Sequence, residues 1–377
     1  MRSLFPHAVA IVTALTVTGS SLTATAPPAA AAPTPVITGV ASGLTIPWDV
    51  TWVGSTMLFD ERPGRLWSLQ PGGTPQRVSL DLPPIFTNSE SGMLGMVADP
   101  NAASNGLFYT CLSVAKDDGT AKDVEVWKWQ LTDATTAVKV KTLITGIPVN
   151  KGRHNGCRLR FRSSDRLYIG TGDAAQGTNP QNLKSLGGKV LRVTADGTPP
   201  STNPFYAKGG NARYVWTYGH RNVQGLAHRT DGVDQMWSVE HGPSRDDEIN
   251  RIIGGTNYGW SPTPGYNESR AMTDTKRYPK AKTARWRSGS PTVAPSGATF
   301  LNGSQWGDWN GHLAVGLLKG QGILLFRVTG TETVRRVTEI ATTYGRVRAV
   351  QQGPDGALYF TTSNGDGLDG VYRLTLT

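Results

Sequence analysis

Six times along the chain a short apolar strand is followed, across a polar turn, by a second strand of small or polar and then apolar, often aromatic, residues. The second strands fall at 56–59, 105–109, 165–169, 234–237, 310–314 and 355–360. The strands before them fall at 48–52, 93–97, 158–161, 224–227, 296–300 and 348–351. Each is short, rich in β-forming residues and bounded by Gly, Asp or Asn. The leading apolar positions are Leu58, Leu107, Leu167, Met236, Leu313 and Leu358, at intervals from 45 (313 to 358) to 77 (236 to 313) residues. A four-stranded propeller blade takes about 40–50 residues, so the longer intervals must carry insertions. The pattern predicts an all-β fold, a six-bladed β-propeller of four-stranded antiparallel blades. Two packed β-sandwiches would not produce a sixfold recurrence. No stretch sustains apolar positions at i, i+3, i+4 and i+7, so no helix of consequence is expected.

Three segments follow. Residues 1–31 read as a secretory signal peptide, with Arg2, a short apolar run over 8–17 and the small-x-small pair Ala29 and Ala31 before the cut. That run falls short of the ~20 residues a membrane span needs, so no integral membrane segment is expected in the mature protein. Residues 32–42 are expected to be a flexible N-terminal segment, and 43–377 the propeller. The chain is therefore expected to be secreted.

Composition adds less. The 45 glycines and 18% charged residues suit short strands and many turns. The net charge of +10 reads as a mildly basic, soluble surface. Arg270, Lys276, Arg277, Lys280, Lys282, Arg285 and Arg287 crowd one stretch that resembles an inserted loop. It carries no nucleic-acid-binding signature, so no nucleic-acid partner is expected. Cys111 and Cys157 are the two cysteines. In an exported protein they read as one disulfide, with two buried thiols as the alternative.

The two strands of each repeat run antiparallel, so the start of the first and the end of the second share one end of the blade. Residues there, from all six blades, converge on one face of the channel, where a site is expected. Before the first strands stand Glu90, His154, Asn155, Arg221, Asn222, Arg346 and Arg348. After the second strands stand Glu61, Arg62, Asp173, His241, Gly242, Pro243, Lys319, Asn364 and Asp366. Together they imply a strongly positive field.

Four segments carry a resemblance. They are His154-Asn155-Gly156-Cys157-Arg158-Leu159, Gly219-His220-Arg221-Asn222-Val223-Gln224-Gly225-Leu226, the run from Glu240-His241-Gly242-Pro243 to Asn250, and Gly345-Arg346-Val347-Arg348. Asn257-Tyr258-Gly259-Trp260, Gly187-Gly188-Lys189 and Ala294-Pro295-Ser296-Gly297 support them. In this order, from about Gly43 to the C-terminus, the chain resembles the soluble glucose/sorbosone dehydrogenase family, which uses pyrroloquinoline quinone (PQQ) and calcium. The resemblance implies oxidation of an aldose or sugar-like alcohol by hydride transfer to the quinone. It implies His154 as the general base, suited by an imidazole pKa of ~6.5. It implies Arg221 beside the reacting carbonyl and Asn222 as its cofactor-binding neighbour. Lys319, Arg346 and Arg348 resemble the cations that meet the cofactor's three carboxylates. Gly242 and Pro243 match a calcium turn of backbone carbonyls. Glu90 matches a substrate-side polar position, and Asp173 and Gln176 are further candidates to face the sugar. Cys157 departs from the family, which has a second glycine there. With Cys111 in the neighbouring blade toward the same face, a Cys111–Cys157 disulfide beside His154 is expected.

Two other functions fit the architecture. A calcium-dependent lactonase would ring a channel calcium with carboxylate or amide side chains. A non-catalytic propeller binding sugar polymers would not require His154, Lys319 and the arginine pair together. The electron acceptor and the particular sugar are not specified by any motif.

Overall fold

The computed structural model describes residues 34–377; the expected signal peptide lies outside them. Six four-stranded antiparallel sheets make up the propeller. Blade 1 begins with strands Val50–Val53 and Thr56–Glu61, blade 2 with Met93–Ala98 and Leu107–Ala115, and blade 3 with Gly156–Ser163 and Arg166–Thr171. Blades 4, 5 and 6 begin with Val223–Arg229 and Gln235–Glu240, Pro295–Phe300 and Leu313–Leu317, and Val347–Gln352 and Leu358–Thr362. Each of the six pairs expected from the sequence is therefore the inner pair of one blade. The first strand of each pair faces the channel.

The alternation that marks these strands is the alternation of two packed faces. Leu58, Leu167, Met236, Leu313 and Leu358 are all buried between neighbouring sheets, and Leu107 is partly so. Trp129 and Trp237, wholly buried, pack in the apolar clusters between neighbouring blades. Burying a side chain of this kind contributes about 1.5–3 kcal/mol. The one α-helix among the described residues is a single turn, Ala102–Asn105. Among the described residues no helix is long and apolar enough to cross a membrane.

One expectation is corrected. Pro35–Leu44, taken as mostly flexible, is a ten-residue strand that pairs antiparallel with Asp369–Leu376 as the outermost strand of blade 6. Its partners include Ile37 with Leu374 and Gly39 with Tyr372. The last blade is thus built from both ends of the described chain. Local patterning does not reveal this, because the segment presents a largely exposed, glycine-containing face and its partner lies some 330 positions away.

Candidate functional site

The starts of the inner strands and the ends of the second strands gather at one end of the ring, as their antiparallel pairing requires. His154 stands just before the first strand of blade 3, buried at 4% exposure, with a left-handed backbone (φ 56°). Its carbonyl lies so near Gly172 that a Cβ there would be 1.8 Å from the oxygen. Only glycine at 172 lets the chain carrying His154 pass this close to the end of the second strand. The imidazole Nδ1 is 2.9 Å from Asp173 Oδ1 and 2.9 Å from the Tyr266 hydroxyl. Asp173 is fully buried. It also accepts from Ala175 N at 2.8 Å, Trp260 Nε1 at 2.8 Å and the Tyr266 hydroxyl at 2.7 Å. With every donor around it engaged, Asp173 holds His154 and does not face a sugar, contrary to the sequence expectation. Gln176 is exposed and its amide oxygen accepts from Asn179.

Across the channel mouth a second network joins three blades. Glu90 Oε2 accepts from Asn222 Nδ2 at 3.0 Å and Gln224 Nε2 at 3.3 Å. Gln224 Oε1 in turn accepts from Arg348 at 3.3 Å. Burial works against the charge on Glu90, but His154 and the Asn222 amide outweigh it and hold the carboxyl below its ordinary range. The Arg348 guanidinium is buried and lies 4.0 Å over the Trp48 ring. Burial pushes its pKa down to about 9, against the attraction of Glu90, and the neighbouring Arg346 adds to the fall.

Arg221 is anchored from behind: its backbone N–H donates to Glu240 Oε2 at 2.9 Å, and Glu240 Oε1 binds His220 Nδ1 at 2.9 Å. Its guanidinium reaches forward to His241 O at 3.2 Å and to Glu268 at 2.6 Å, 5.7 Å from the Trp260 ring centre. Burial, with Arg221 and Arg348 close by, pushes the His241 imidazole down to about 3, so it is neutral at working pH. The turn at Gly242-Pro243 folds back on itself. Gly242 N donates to Asp247 Oδ1 at 2.9 Å, and a Cβ on Gly242 would be 2.0 Å from Arg245 O. The Asp247 carboxylate also takes Val293 N at 2.6 Å and Ala294 N at 2.8 Å, so it braces the turn.

Arg346 and Lys319 form the outer rim. Arg346 donates to Ser363 O at 3.0 Å and to Leu318 O at 3.3 Å, which sets it beside Lys319. Lys319 is exposed and donates to Thr292 Oγ1 at 3.2 Å. His154, Arg221 and Arg348 thus share the interior of one mouth, and Lys319 with Arg346 borders it.

The expected disulfide is present: Cys111 and Cys157 are bonded, with Cα atoms 6.0 Å apart, and tie blade 2 to blade 3 three residues after His154. Two side chains at the site were not anticipated. Tyr266 and Glu268 come from the inserted stretch after Trp260, whose basic residues had drawn attention instead. Glu268 bridges Arg221 and Arg153, the latter at 3.1 Å. The Trp260-to-Tyr266 spacing carries no strand or helix period, so nothing in the pattern of positions pointed to them.

Several buried nitrogens at this end have no partner: Nε of Arg62, Arg221 and Arg348, and Nε2 of His241. Unpaired donors of this kind are costly unless a ligand or solvent meets them. Among the described residues no three His, Cys, Asp or Glu side chains converge in a way that would hold a metal ion.

A family model described as Glucose / Sorbosone dehydrogenase matches residues 44–373. The chain is 32% identical over 331 residues to aldose sugar dehydrogenase YliI of Escherichia coli (strain K12), spanning 85% of this chain and 88% of that protein. It is 26% identical over 257 residues to quinoprotein glucose dehydrogenase B of Acinetobacter calcoaceticus, spanning 61% and 53%. The apo-form crystal structure of the soluble aldose sugar dehydrogenase from Escherichia coli superposes with a TM-score of 0.81 at 28% identity, covering 91% of this chain and all of that one. The PQQ-bound form of an aldose sugar dehydrogenase from Streptomyces coelicolor gives a TM-score of 0.74 at 28% identity, covering 93% of this chain and 100% of that one.

Proposed function

This chain belongs to the glucose/sorbosone dehydrogenase family, and from that premise we propose that it oxidises an aldose or sugar-like alcohol, with PQQ as oxidant and calcium beside it. One observation carries the reading. Around the His154–Asp173 pair, buried guanidinium donors of Arg62, Arg221 and Arg348, and the Nε2 of His241, stand without partners. A planar ligand rich in carboxylate and carbonyl oxygens satisfies such donors, so the residues fit the quinone. Arg348 and Arg221 would hold it from within, Arg346 and Lys319 from the rim, and Asn222 would add its amide.

For calcium the fit is of another kind. With Asp247 taken up by three backbone N–H groups, ligation would fall to backbone oxygens of the Gly242-Pro243 turn, which a hard cation accepts. Packing of Arg245 O against Gly242 is the type of tight curl that brings carbonyls together. This donor set does not suit the lactonase reading, which calls for convergent carboxylate or amide side chains.

When bound, the quinone supplies the two-electron oxidising capacity that protein side chains lack. The chain's own residues handle the proton and the charge. With Nδ1 held by Asp173, His154 keeps Nε2 as its basic nitrogen, and this takes the hydroxyl proton as the substrate's hydride departs. Asp173 then steadies the imidazolium. Arg221 places fixed positive charge where negative charge grows, and needs no reorganisation to do so because its backbone is pinned by Glu240. Glu90, ionised and ordered by two amides, is the polar group on the substrate side. The disulfide accords with a working place outside the cytoplasm.

The test is a titration of the apo-protein with PQQ, with and without calcium, repeated for Lys319→Ala, followed by sugar-dependent dye reduction. Tight calcium-dependent uptake that weakens in the variant is expected. Weak uptake that ignores both calcium and the substitution, with no reduction on a broad sugar panel, would overturn the reading.

A further inference from the structure

The inserted stretch after Trp260 delivers Tyr266 directly onto the base. The Tyr266 hydroxyl is 2.9 Å from His154 Nδ1 and 2.7 Å from Asp173 Oδ2, while Nδ1 is 2.9 Å from Asp173 Oδ1. The phenol has one hydrogen, and the shorter contact directs it to the carboxylate. The hydrogen on Nδ1 then lies between Asp173 Oδ1 and the phenol oxygen. The other tautomer would turn a bare Nδ1 lone pair toward an anion, so the triangle is consistent only with hydrogen on Nδ1.

We propose that Tyr266 is a positioning residue for His154. Its hydroxyl fixes the ring and, by donating to Asp173, limits the pull of that carboxylate on the protonated imidazole. The inference rests on the reading of His154 as base. Burial and the charge of Asp173 push the phenol far above its ordinary range, so it remains a hydrogen donor throughout the working range. The other ionisable groups around the His154–Asp173 pair are Glu90 and His241 across the mouth, Glu268 on the same insertion, the neighbouring Arg153 and Arg221, and Lys189 behind Asp173, whose amine burial lowers to about 7. None of them contacts the Nδ1 side.

In Tyr266→Phe, Asp173 Oδ2 keeps only the Trp260 donor. The carboxylate then holds more charge toward Nδ1, and the imidazolium becomes easier to form. Histidine-labelled nitrogen NMR on the apo full chain reads this without cofactor or turnover. In the wild type His154 is expected as the Nδ1–H tautomer. In the variant its titration midpoint is expected to rise by about 0.5–1 pH unit. In the loaded enzyme the acid limb of kcat/KM moves up with it, so the loss of rate is larger at pH 6 than at pH 9, while KM stays within about threefold. A His154 midpoint that does not move, or a wild-type Nε2–H tautomer, overturns the proposal; so does a change confined to thermal stability, which marks a merely structural role. Failure of the loaded wild type to oxidise any sugar, with the NMR shift present, would sink the dehydrogenase reading and leave Tyr266 as the residue that tunes this histidine.

Discussion

His154 and Arg348 show how far a single side chain's chemistry follows from its surroundings. If His154 is the proposed base, replacing it with Ala is expected to lower kcat about 10²–10⁴-fold while the cofactor still binds, because in that role the imidazole serves the substrate's proton rather than the cofactor's charge. Steady-state rates beside a cofactor titration separate the two effects. Arg348→Ala should do the reverse. A charge-assisted bond contributes about 1.5–3 kcal/mol, so cofactor Kd should rise at least tenfold, read by the same titration. His154, Arg221, Asn222 and Arg348 were legible because each stands in a motif at a strand start. Asp173 was found but misread: its position after a strand gave its location, while the three donors besides His154 that hide it include Trp260 and Tyr266, from a blade distant in sequence. Tyr266 and Glu268 were not legible, since side chains on an aperiodic insertion meet the site only through tertiary placement.

At the level of elements, the inner strand pair of every blade could be read from alternation, because both of its faces are packed. The outermost strands could not, since most of them, such as Thr333–Ile340, pack on one side and their pattern blurs into loop. The Cys111–Cys157 link joins two such inner pairs. Closing a loop with a sequence separation of 46 corresponds to about 4 kcal/mol by loop entropy. The double Cys→Ser variant should therefore unfold at clearly lower denaturant, measured by equilibrium fluorescence. Blade 4 carries a proton of its own. Burial, and the charge of Glu240 beside it, push Glu248 up to about 8 from an ordinary 4.5. Between these values the folded chain keeps a proton that the unfolded chain releases. The contribution of this group to stability is full below pH 4.5 and declines as pH rises toward 8. Glu248→Gln should flatten that decline, seen as denaturant midpoints that depend less on pH between 5 and 8.

For the molecule as a whole, ring closure governs everything else. The pairing of Pro35–Leu44 with Asp369–Leu376 is reinforced by Asp369, whose carboxylate accepts from Ile46 N at 3.2 Å and Thr362 Oγ1 at 3.0 Å. Deleting residues 34–44 leaves blade 6 with three strands and an open edge. Its thermal midpoint is expected to fall by about 5 °C or more, followed by circular dichroism. Cofactor uptake should weaken too, because Arg346 and Arg348 begin that blade.

That closing strand also sets a schedule. Its partner, Asp369–Leu376, leaves the ribosome some 330 residues later. Until then the leading segment must wait without a mate, while the other five blades can zip up locally from neighbouring stretches. Competence therefore arrives late and all at once: a chain interrupted before Asp369 has nearly every residue of the channel mouth and no circle to hold them.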